Sequence, residues 1–246
     1  MKTAVIGTGN MGVALVKGWS KAGMASDLII TARTQRTLDT ITAQYPEVTA
    51  TLDNTRAAQS ADIVILAVKP WLIAQVIEEI APSLEGKTLV SVAAGVRHPR
   101  IDLYVMPNIA AQYNQSMTFV EAPAKEQSLL QQVEQLFSKV GQVKVVSQQQ
   151  MTSGMLLSGC GIAFVMRYVR ALMESGVEMG FYPKDAQHIV EQTILGAVSY
   201  LRQSGLHPEA AIDCVTTPGG FTIKGLNAME KAGFTQAAQA PFATNK

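Results

Sequence analysis

Runs of apolar residues alternate with segments of helical spacing along the first 150 residues of the chain. Short β-branched runs predict strands at Thr3–Ile6, Leu28–Thr31, Ile63–Val68, Thr88–Val92, Tyr104–Met106, Thr118–Glu121 and Val143–Val146. The segments between several of them predict helices at Met11–Ala22, Thr34–Gln44, Trp71–Ile80 and Ser128–Val140. This alternation predicts an α/β fold with a mainly parallel, doubly wound sheet.

After residue 150 only helical spacing remains. Apolar residues recur every three or four positions in two series, Ile162, Val165, Met166, Val169, Leu172, Met173 and Val177, and Ala186, Ile189, Val190, Thr193, Ile194, Ala197 and Leu201. We therefore predict an α/β domain over residues 1–150 and a helical domain over residues 151–246. So many apolar helical positions in a short segment favour a dimerisation domain. The alternative is a self-contained helical bundle packed against the sheet.

The first predicted strand runs directly into a Gly-x-Gly-x-x-Gly turn that is followed by helical spacing. In a dinucleotide-binding fold these glycines allow the tight turn, the approach of the pyrophosphate and close helix–strand packing. The diphosphate lies at the helix N-terminus, where free N–H groups and the macrodipole favour an anion. A glycine-rich surface turn is the alternative. We predict a dinucleotide cradle formed by Gly7, Thr8, Gly9, Asn10, Met11 and Gly12.

The segment after the second predicted strand selects the dinucleotide. An NAD site usually carries Asp or Glu there, which binds the ribose 2′-hydroxyl. This chain instead has Arg33, Thr34 and Arg36, and two guanidiniums with a hydroxyl suit a 2′-phosphate. Two solvated loop arginines are the alternative. We predict that NADP(H) is preferred and that NAD(H) use is possible.

Ligands of an open α/β sheet bind at the carboxyl ends of its strands. One predicted strand runs into Ala67, Val68, Lys69 and Pro70, which we expect to lie beside the nicotinamide ribose. Another ends in small residues, and Ala93 to Gly95 would leave room there for a flat ring. Position alone equally allows Lys69 to be a surface lysine.

A Pro-Gly-Gly turn lies between two predicted helices at Pro218–Gly220. Consecutive backbone N–H groups before a new helix can hold a carboxylate without a cationic side chain. Thr222 would then place a hydroxyl beside the bound anion. Read alone, the segment is a turn in which Thr222 is a helix N-cap.

Composition narrows the classes of partner. The chain has 246 residues and a net charge of +1, which indicates neither nucleic acid nor an anionic membrane as a partner. Cys160 and Cys214 have neither metal-ligand spacing nor a disulfide framework, and they fit a reducing cytosol. The glycine-interrupted start is unlike a signal peptide, and no stretch is expected to reach the roughly 20 apolar residues of a membrane span. We expect a cytoplasmic protein.

In this order and with these spacings, the segments resemble the pyrroline-5-carboxylate reductase family over nearly the whole chain. The matching motifs are Gly7–Gly12, Ala67–Pro70, Ala93–Gly95, Met106–Asn108, Ser158–Phe164, Pro218–Thr222 and Glu230–Phe234. The Pro-Gly-Gly-x-Thr element combined with Ala-Val-Lys-Pro is far more specific than the glycine fingerprint.

The resemblance implies hydride transfer from NAD(P)H to the C=N carbon of 1-pyrroline-5-carboxylate, giving L-proline. It implies a Rossmann domain and a helical domain that interleaves with a second subunit, in a homodimer or a larger homo-oligomer. Thr222 would be the catalytic residue, bonded to the ring nitrogen, and the backbone of Gly219, Gly220, Phe221 and Thr222 would hold the carboxylate. Asn54 matches a family position beside the adenosine portion of the cofactor.

The chain also departs from the family pattern near the expected substrate position. Cys160 and Ile162 replace a serine and a proline, Cys214 replaces a frequent asparagine, and Asn114 and Ser116 stand where glycines are common. Two alternatives therefore stay open. One is an NADP-dependent reductase of another small cyclic imine or carbonyl compound, and the other is a non-catalytic NADP(H)-binding paralogue.

Overall fold

The computed structural model describes residues 1–121 and 127–243. The chain divides into two compact units, Met1–Ile162 and a helical unit that begins at Ala163. The first unit extends past residue 150 because the helix that begins at Gln148 packs on the sheet.

The first unit contains eight described strands, and the sequence predicted most of them to within two residues at either end. The strands are β1 (Thr3–Ile6), β2 (Leu28–Thr31), β3 (Thr49–Thr51), β4 (Ile63–Leu66), β5 (Thr88–Ser91), β6 (Leu103–Met106), β7 (Ser116–Glu121) and β8 (Gly141–Val145). The helices are α1 (Asn10–Lys21), α2 (Gln35–Thr42), α3 (Asn54–Gln59), α4 (Ile73–Ile80), α5 (Gln127–Ser138) and α6 (Gln148–Gly154). Single 3-10 turns occur at Ala25–Asp27, Pro70–Leu72, Ala81–Ser83 and Ile109–Tyr113.

The strands form one sheet in the order β3-β2-β1-β4-β5-β6-β7-β8. All neighbours are parallel except β6 and β7, which confirms the mainly parallel, doubly wound fold. Every residue of β1, β2, β4 and β5 is buried, because helices cover both faces of such a sheet, and this explains their continuous apolar sequence. Successive strands are added on one side of β1 up to β3 and on its other side from β4 onward, and an open α/β sheet binds its ligands at such a switch in strand order.

Helix α1 is fixed to the rest of the first unit by Trp19. The indole is fully buried, and its N–H donates to the carbonyl of Leu136 at 2.9 Å. The ring also meets Phe137 edge-on, with 5.4 Å between the ring centroids. A buried aromatic pair with a satisfied indole N–H anchors the helix that follows the glycine turn.

The regular elements among the described residues of the second unit are all helices, as the sequence predicted. A π-helix at Met155–Cys160 connects α6 to α7 (Gly161–Glu178), and the later helices are α8 (Pro183–Ser204), α9 (Pro208–Cys214), α10 (Phe221–Lys231) and α11 (Phe234–Ala243). Helices α7 and α8 approach closely at Gly176, where an added Cβ would lie 2.9 Å from the Cβ of Ala186. The rings of Phe164 and Phe242 meet edge-on and join α7 to α11.

The apolar face predicted for α7 is not covered by its own chain. Val165, Met166 and Val177 are exposed by 52%, 57% and 43%. One continuous helical stretch, Gln148–Glu178, is by length and composition apolar enough to cross a membrane, and almost none of it is buried. The expectation that no stretch reaches this length is therefore wrong. Since the exposed side chains continue along α7, this surface is suited to contact with another apolar partner.

Candidate cofactor and substrate sites

The glycine turn between β1 and α1 has the backbone geometry of a dinucleotide cradle. Gly7 has a φ of 98°, and its N–H donates to the Thr31 hydroxyl at 3.3 Å. An added Cβ at Gly7 would lie 2.7 Å from Cγ1 of Val68, so the site requires glycine for space as well as for conformation. A Cβ at Gly12 would lie only 2.1 Å from the Gly7 carbonyl oxygen.

The opening of this cradle is formed by Gly9 and the first turn of α1. Gly9 is the N-cap and makes no side-chain capping bond, and an added Cβ there would meet no atom within 4 Å. The first N–H groups of a helix have no intrahelical acceptor, so those of Asn10, Met11 and Gly12 are free for an anion. Thr8 lies within the same turn. The empty space at Gly9 and the free amides together fit a diphosphate.

The segment expected to bind a 2′-phosphate is exposed and follows β2 directly. Arg33 and Arg36 make no ion pair within residues 1–121 and 127–243. Thr34 is the N-cap of α2, and its hydroxyl accepts from the Thr37 N–H at 3.4 Å. Arg36 lines a cavity of about 240 Å³ with Lys17, so the region carries positive charge without a paired acid.

The carboxyl ends of β1, β4 and β5 lie side by side, next to the switch in strand order between β1 and β4. The Ala67 N–H donates to the carbonyl of Ile6 at 2.9 Å, and the Val92 N–H donates to that of Leu66 at 3.1 Å. The segments Ala67–Pro70 and Ala93–Gly95 therefore both begin at the edge that carries the glycine turn. Lys69 is exposed and precedes the 3-10 turn at Pro70–Leu72, while Ala93 is buried and Gly95 is exposed.

Asn54 lies in the first turn of α3 and already has a partner. Its amide nitrogen donates to the Glu79 carboxylate of α4 at 3.1 Å. The Thr55 hydroxyl also donates to the Glu79 carbonyl, at 3.4 Å, so the start of α3 is held against α4. Contact between Asn54 and the adenosine of a cofactor stays a prediction.

In the second unit, the Pro-Gly-Gly turn leads into α10. The Gly220 N–H donates to the Thr217 carbonyl at 3.0 Å, and Gly220 is the N-cap of the helix without any side-chain cap. The reading in which Thr222 is the N-cap is therefore wrong, because Thr222 lies in the first turn. Its side chain is exposed, and that of neighbouring Phe221 is 96% exposed. The first amides of α10 are free to bind a carboxylate.

A polar cluster that no sequence motif predicts lies beside the turn at Ala93–Gly95. Arg97, Tyr104 and Glu121 come together there from a loop and two strands. No local spacing links residues so far apart in the chain, so only the strand pairing of β6 with β7 reveals the cluster.

Two family models match the chain. Residues 2–95 match the model described as NADP oxidoreductase, coenzyme F420-dependent, and residues 148–244 match pyrroline-5-carboxylate reductase dimerisation. With the glycine cradle and the strand order, these matches define an oxidoreductase that has a Rossmann-type domain followed by a dimerisation domain.

Relatives and solved structures extend over almost the whole chain. Pyrroline-5-carboxylate reductase 2 of Dictyostelium discoideum is 33% identical over 261 residues, covering 95% of this chain and 87% of the relative. A crystal structure of 1-pyrroline-5-carboxylate reductase from Streptococcus pyogenes matches with a TM-score of 0.85 at 30% identity, covering 99% and 96% of the two chains. A Plasmodium falciparum pyrroline carboxylate reductase with NADP bound matches with a TM-score of 0.88 at 24% identity, covering 99% and 95%. The chain belongs to the pyrroline-5-carboxylate reductase family, which confirms the resemblance seen in its motifs.

Proposed function

We propose that this protein reduces 1-pyrroline-5-carboxylate to L-proline, the last step of proline biosynthesis, with NADPH as the preferred hydride donor. The observation that carries this proposal is the presence of both site elements in a chain that matches reductases of this name throughout. The glycine cradle is intact in the first unit, and the uncapped start of α10 is intact in the second.

The cofactor proposal rests on the fit of the residues around β1 and β2. The free amides of Asn10, Met11 and Gly12 would hold the diphosphate, and Arg33 and Arg36 would bind the 2′-phosphate. When bound, the nicotinamide supplies the hydride. No carboxylate stands at residues 32–36 to repel the 2′-phosphate, and we expect NADH to be the weaker donor.

The substrate proposal rests on the turn before α10. The turn Gly219–Thr222 would hold the substrate carboxylate through its backbone N–H groups other than that of Gly220, which donates to Thr217, and the Thr222 hydroxyl is left available for the ring nitrogen. A cyclic imine is basic enough to bind as its protonated form, and this form accepts hydride at carbon without a further acid. The protein then contributes mainly orientation and proximity.

We further propose that the working form is a homodimer built through the second unit, in the cytoplasm. The exposed apolar face of α7 supports the dimer, and the free thiols of Cys160 and Cys214 suit a reducing compartment. Light scattering should give the mass of a dimer or of a multiple of dimers. Met166→Glu, which buries a charge if this face is an interface, should shift the mass toward the monomer. An unchanged mass would place the interface elsewhere.

The experiment that tests the activity follows NADPH oxidation by its nicotinamide absorbance with 1-pyrroline-5-carboxylate and the wild-type chain. We expect substrate-dependent oxidation with formation of L-proline. If NADPH binds but is not oxidised, the substrate assignment is wrong. A reductase of another cyclic imine or carbonyl compound, or a non-catalytic NADP(H)-binding protein, would then take its place.

A further inference from the structure

Arg97, Tyr104 and Glu121 form one cluster, which we call the Arg97 socket. Tyr104 of β6 and Glu121 of β7 are directly opposite each other in the antiparallel ladder. The Arg97 guanidinium makes two hydrogen bonds to the Glu121 carboxylate, at 2.6 and 2.5 Å. It also lies over the Tyr104 ring, 4.1 Å from the centroid. A fork-to-fork ion pair combined with ring stacking fixes the guanidinium in both position and plane.

Tyr104 holds the same loop a second time through its hydroxyl. This hydroxyl accepts from the His98 N–H at 2.8 Å and donates to the His98 carbonyl at 3.1 Å. Two consecutive loop residues are therefore bound to the sheet, Arg97 through its side chain and His98 through its backbone. The Glu121 side chain is only 10% exposed, and its hydrogen bonds raise the pKa of the Arg97 guanidinium.

The same loop contains Ala93–Gly95, the segment expected to lie beside the nicotinamide. Residues 92–102 connect β5 to β6 without any helix or strand, and Arg97 follows Gly95 by two positions. Since Tyr104 pairs with Ser91 in the parallel ladder, the socket lies at the level where β5 ends. Side-chain contacts, rather than a backbone ladder, must therefore fix the course of the loop after Ala93.

We propose that the Arg97 socket positions the Ala93–Gly95 turn against the nicotinamide end of the cofactor. Arg97, Tyr104 and Glu121 are thus positioning residues, which act through the turn and not by contact with the substrate. The inference rests on the proposed function for the location of the nicotinamide. It goes beyond that function because it assigns a role to three side chains outside the glycine cradle and the α10 turn.

The test compares two ligands that share the adenosine end of the cofactor. NADPH reaches the Ala93–Gly95 turn, whereas 2′-phospho-ADP-ribose lacks the nicotinamide. For Arg97→Ala we expect the Kd of NADPH to rise about tenfold and the Kd of 2′-phospho-ADP-ribose to stay within about twofold. Hydrogen exchange of the ligand-free protein should become faster at residues 93–98 and stay unchanged at residues 7–13. Arg97→Lys should recover part of the NADPH affinity, because the charge is retained but the fork is lost.

Two further variants test the socket by changing the residues that hold Arg97 and His98. Glu121→Gln preserves shape while removing the charge, and Tyr104→Phe preserves the ring while releasing His98, so both report on the socket if Arg97→Ala does not fold. Arg100→Ala, an exposed arginine of the same loop, is the matched control and should match the wild type in every measurement.

Parallel losses for both ligands, or unchanged exchange at residues 93–98, would overturn the positioning role. Because binding and exchange are measured without turnover, the positioning role can still be judged if the wild type fails to reduce 1-pyrroline-5-carboxylate.

Discussion

The carbonyl oxygen of Gly7 occupies the space that a side chain at residue 12 would need, since a Cβ on Gly12 would lie 2.1 Å from that oxygen. This contact locks the start of α1 onto the end of β1. Backbone packing alone therefore fixes the direction of the free N–H groups in the first turn of α1, because the N-cap residue Gly9 has no side chain to cap them.

Gly12→Ala and Gly9→Ala form a matched pair that separates packing from ligand space. Gly12→Ala should lower the free energy of unfolding by about 1–3 kcal/mol, because the turn must shift to admit the methyl group. Gly9→Ala has open space and a φ of −72°, so stability should be retained while the methyl group enters the cradle.

Both variants should weaken NADPH binding by about tenfold or more, measured by cofactor fluorescence. Thermal unfolding gives the stability half of the comparison. A Gly9→Ala variant that binds NADPH like the wild type would place the diphosphate outside this turn.

Arg33 and Arg36 should determine the preference for NADPH over NADH. Replacing both with alanine removes charge-assisted hydrogen bonds to a phosphate, each worth about 1.5–3 kcal/mol. We expect kcat/KM with NADPH to fall by about a hundredfold or more, because two such bonds are lost, and kcat/KM with NADH to change little. Steady-state kinetics with both cofactors measures the ratio. Equal losses with the two cofactors would contradict the 2′-phosphate assignment.

Thr222 should act on turnover without affecting the cofactor. Thr222→Ala removes the hydroxyl proposed to bond the ring nitrogen, and we expect kcat to fall by about tenfold or more with an unchanged Kd for NADPH. Thr222→Ser keeps the hydroxyl and should retain most of the activity. A fully active alanine variant would remove Thr222 from the mechanism.

The buried strands were readable from the sequence because β1, β2, β4 and β5 are short, apolar and covered on both faces. Strand β3 was not, since Thr49–Thr51 is three residues long, partly exposed and without an apolar run. The α3 helix at Asn54–Gln59 was missed for a similar reason, because its six residues complete too few turns to show a periodic pattern.

The functional segments also divide into those that could be predicted from the sequence and those that could not. Motifs that act through the backbone, such as Gly7–Gly12 and Pro218–Gly220, could be predicted from the sequence, because glycine and proline are the residues that such tight turns require. The Arg97 socket depends on strand pairing between distant segments, and no local pattern records that pairing. The N-cap of α10 was misassigned because Gly220 and Thr222 are both acceptable capping residues, and only the backbone distinguishes them.

Asn114 shows how a departure from the family pattern is accommodated where glycine is common. It is the one described non-glycine residue with a left-handed backbone, with a φ of 58°, and asparagine adopts this region more readily than most residues. Its amide nitrogen donates to the carbonyl of Gly18 at 2.9 Å and to that of Lys139 at 2.7 Å. The side chain thus ties the end of the 3-10 turn at Ile109–Tyr113 to α1 and to the end of α5.

Two substitutions at Asn114 separate these effects. Asn114→Gly removes both hydrogen bonds but suits the backbone, and should cost about 1–2 kcal/mol of unfolding free energy. Asn114→Ala loses the same bonds and adds left-handed strain, so it should cost about 1 kcal/mol more. Urea denaturation measures both. Since this residue lies outside the proposed cofactor and substrate contacts, kcat should be unchanged at temperatures where each variant is folded. An alanine variant as stable as the glycine variant would show that the turn relaxes, and that the two hydrogen bonds alone account for the asparagine.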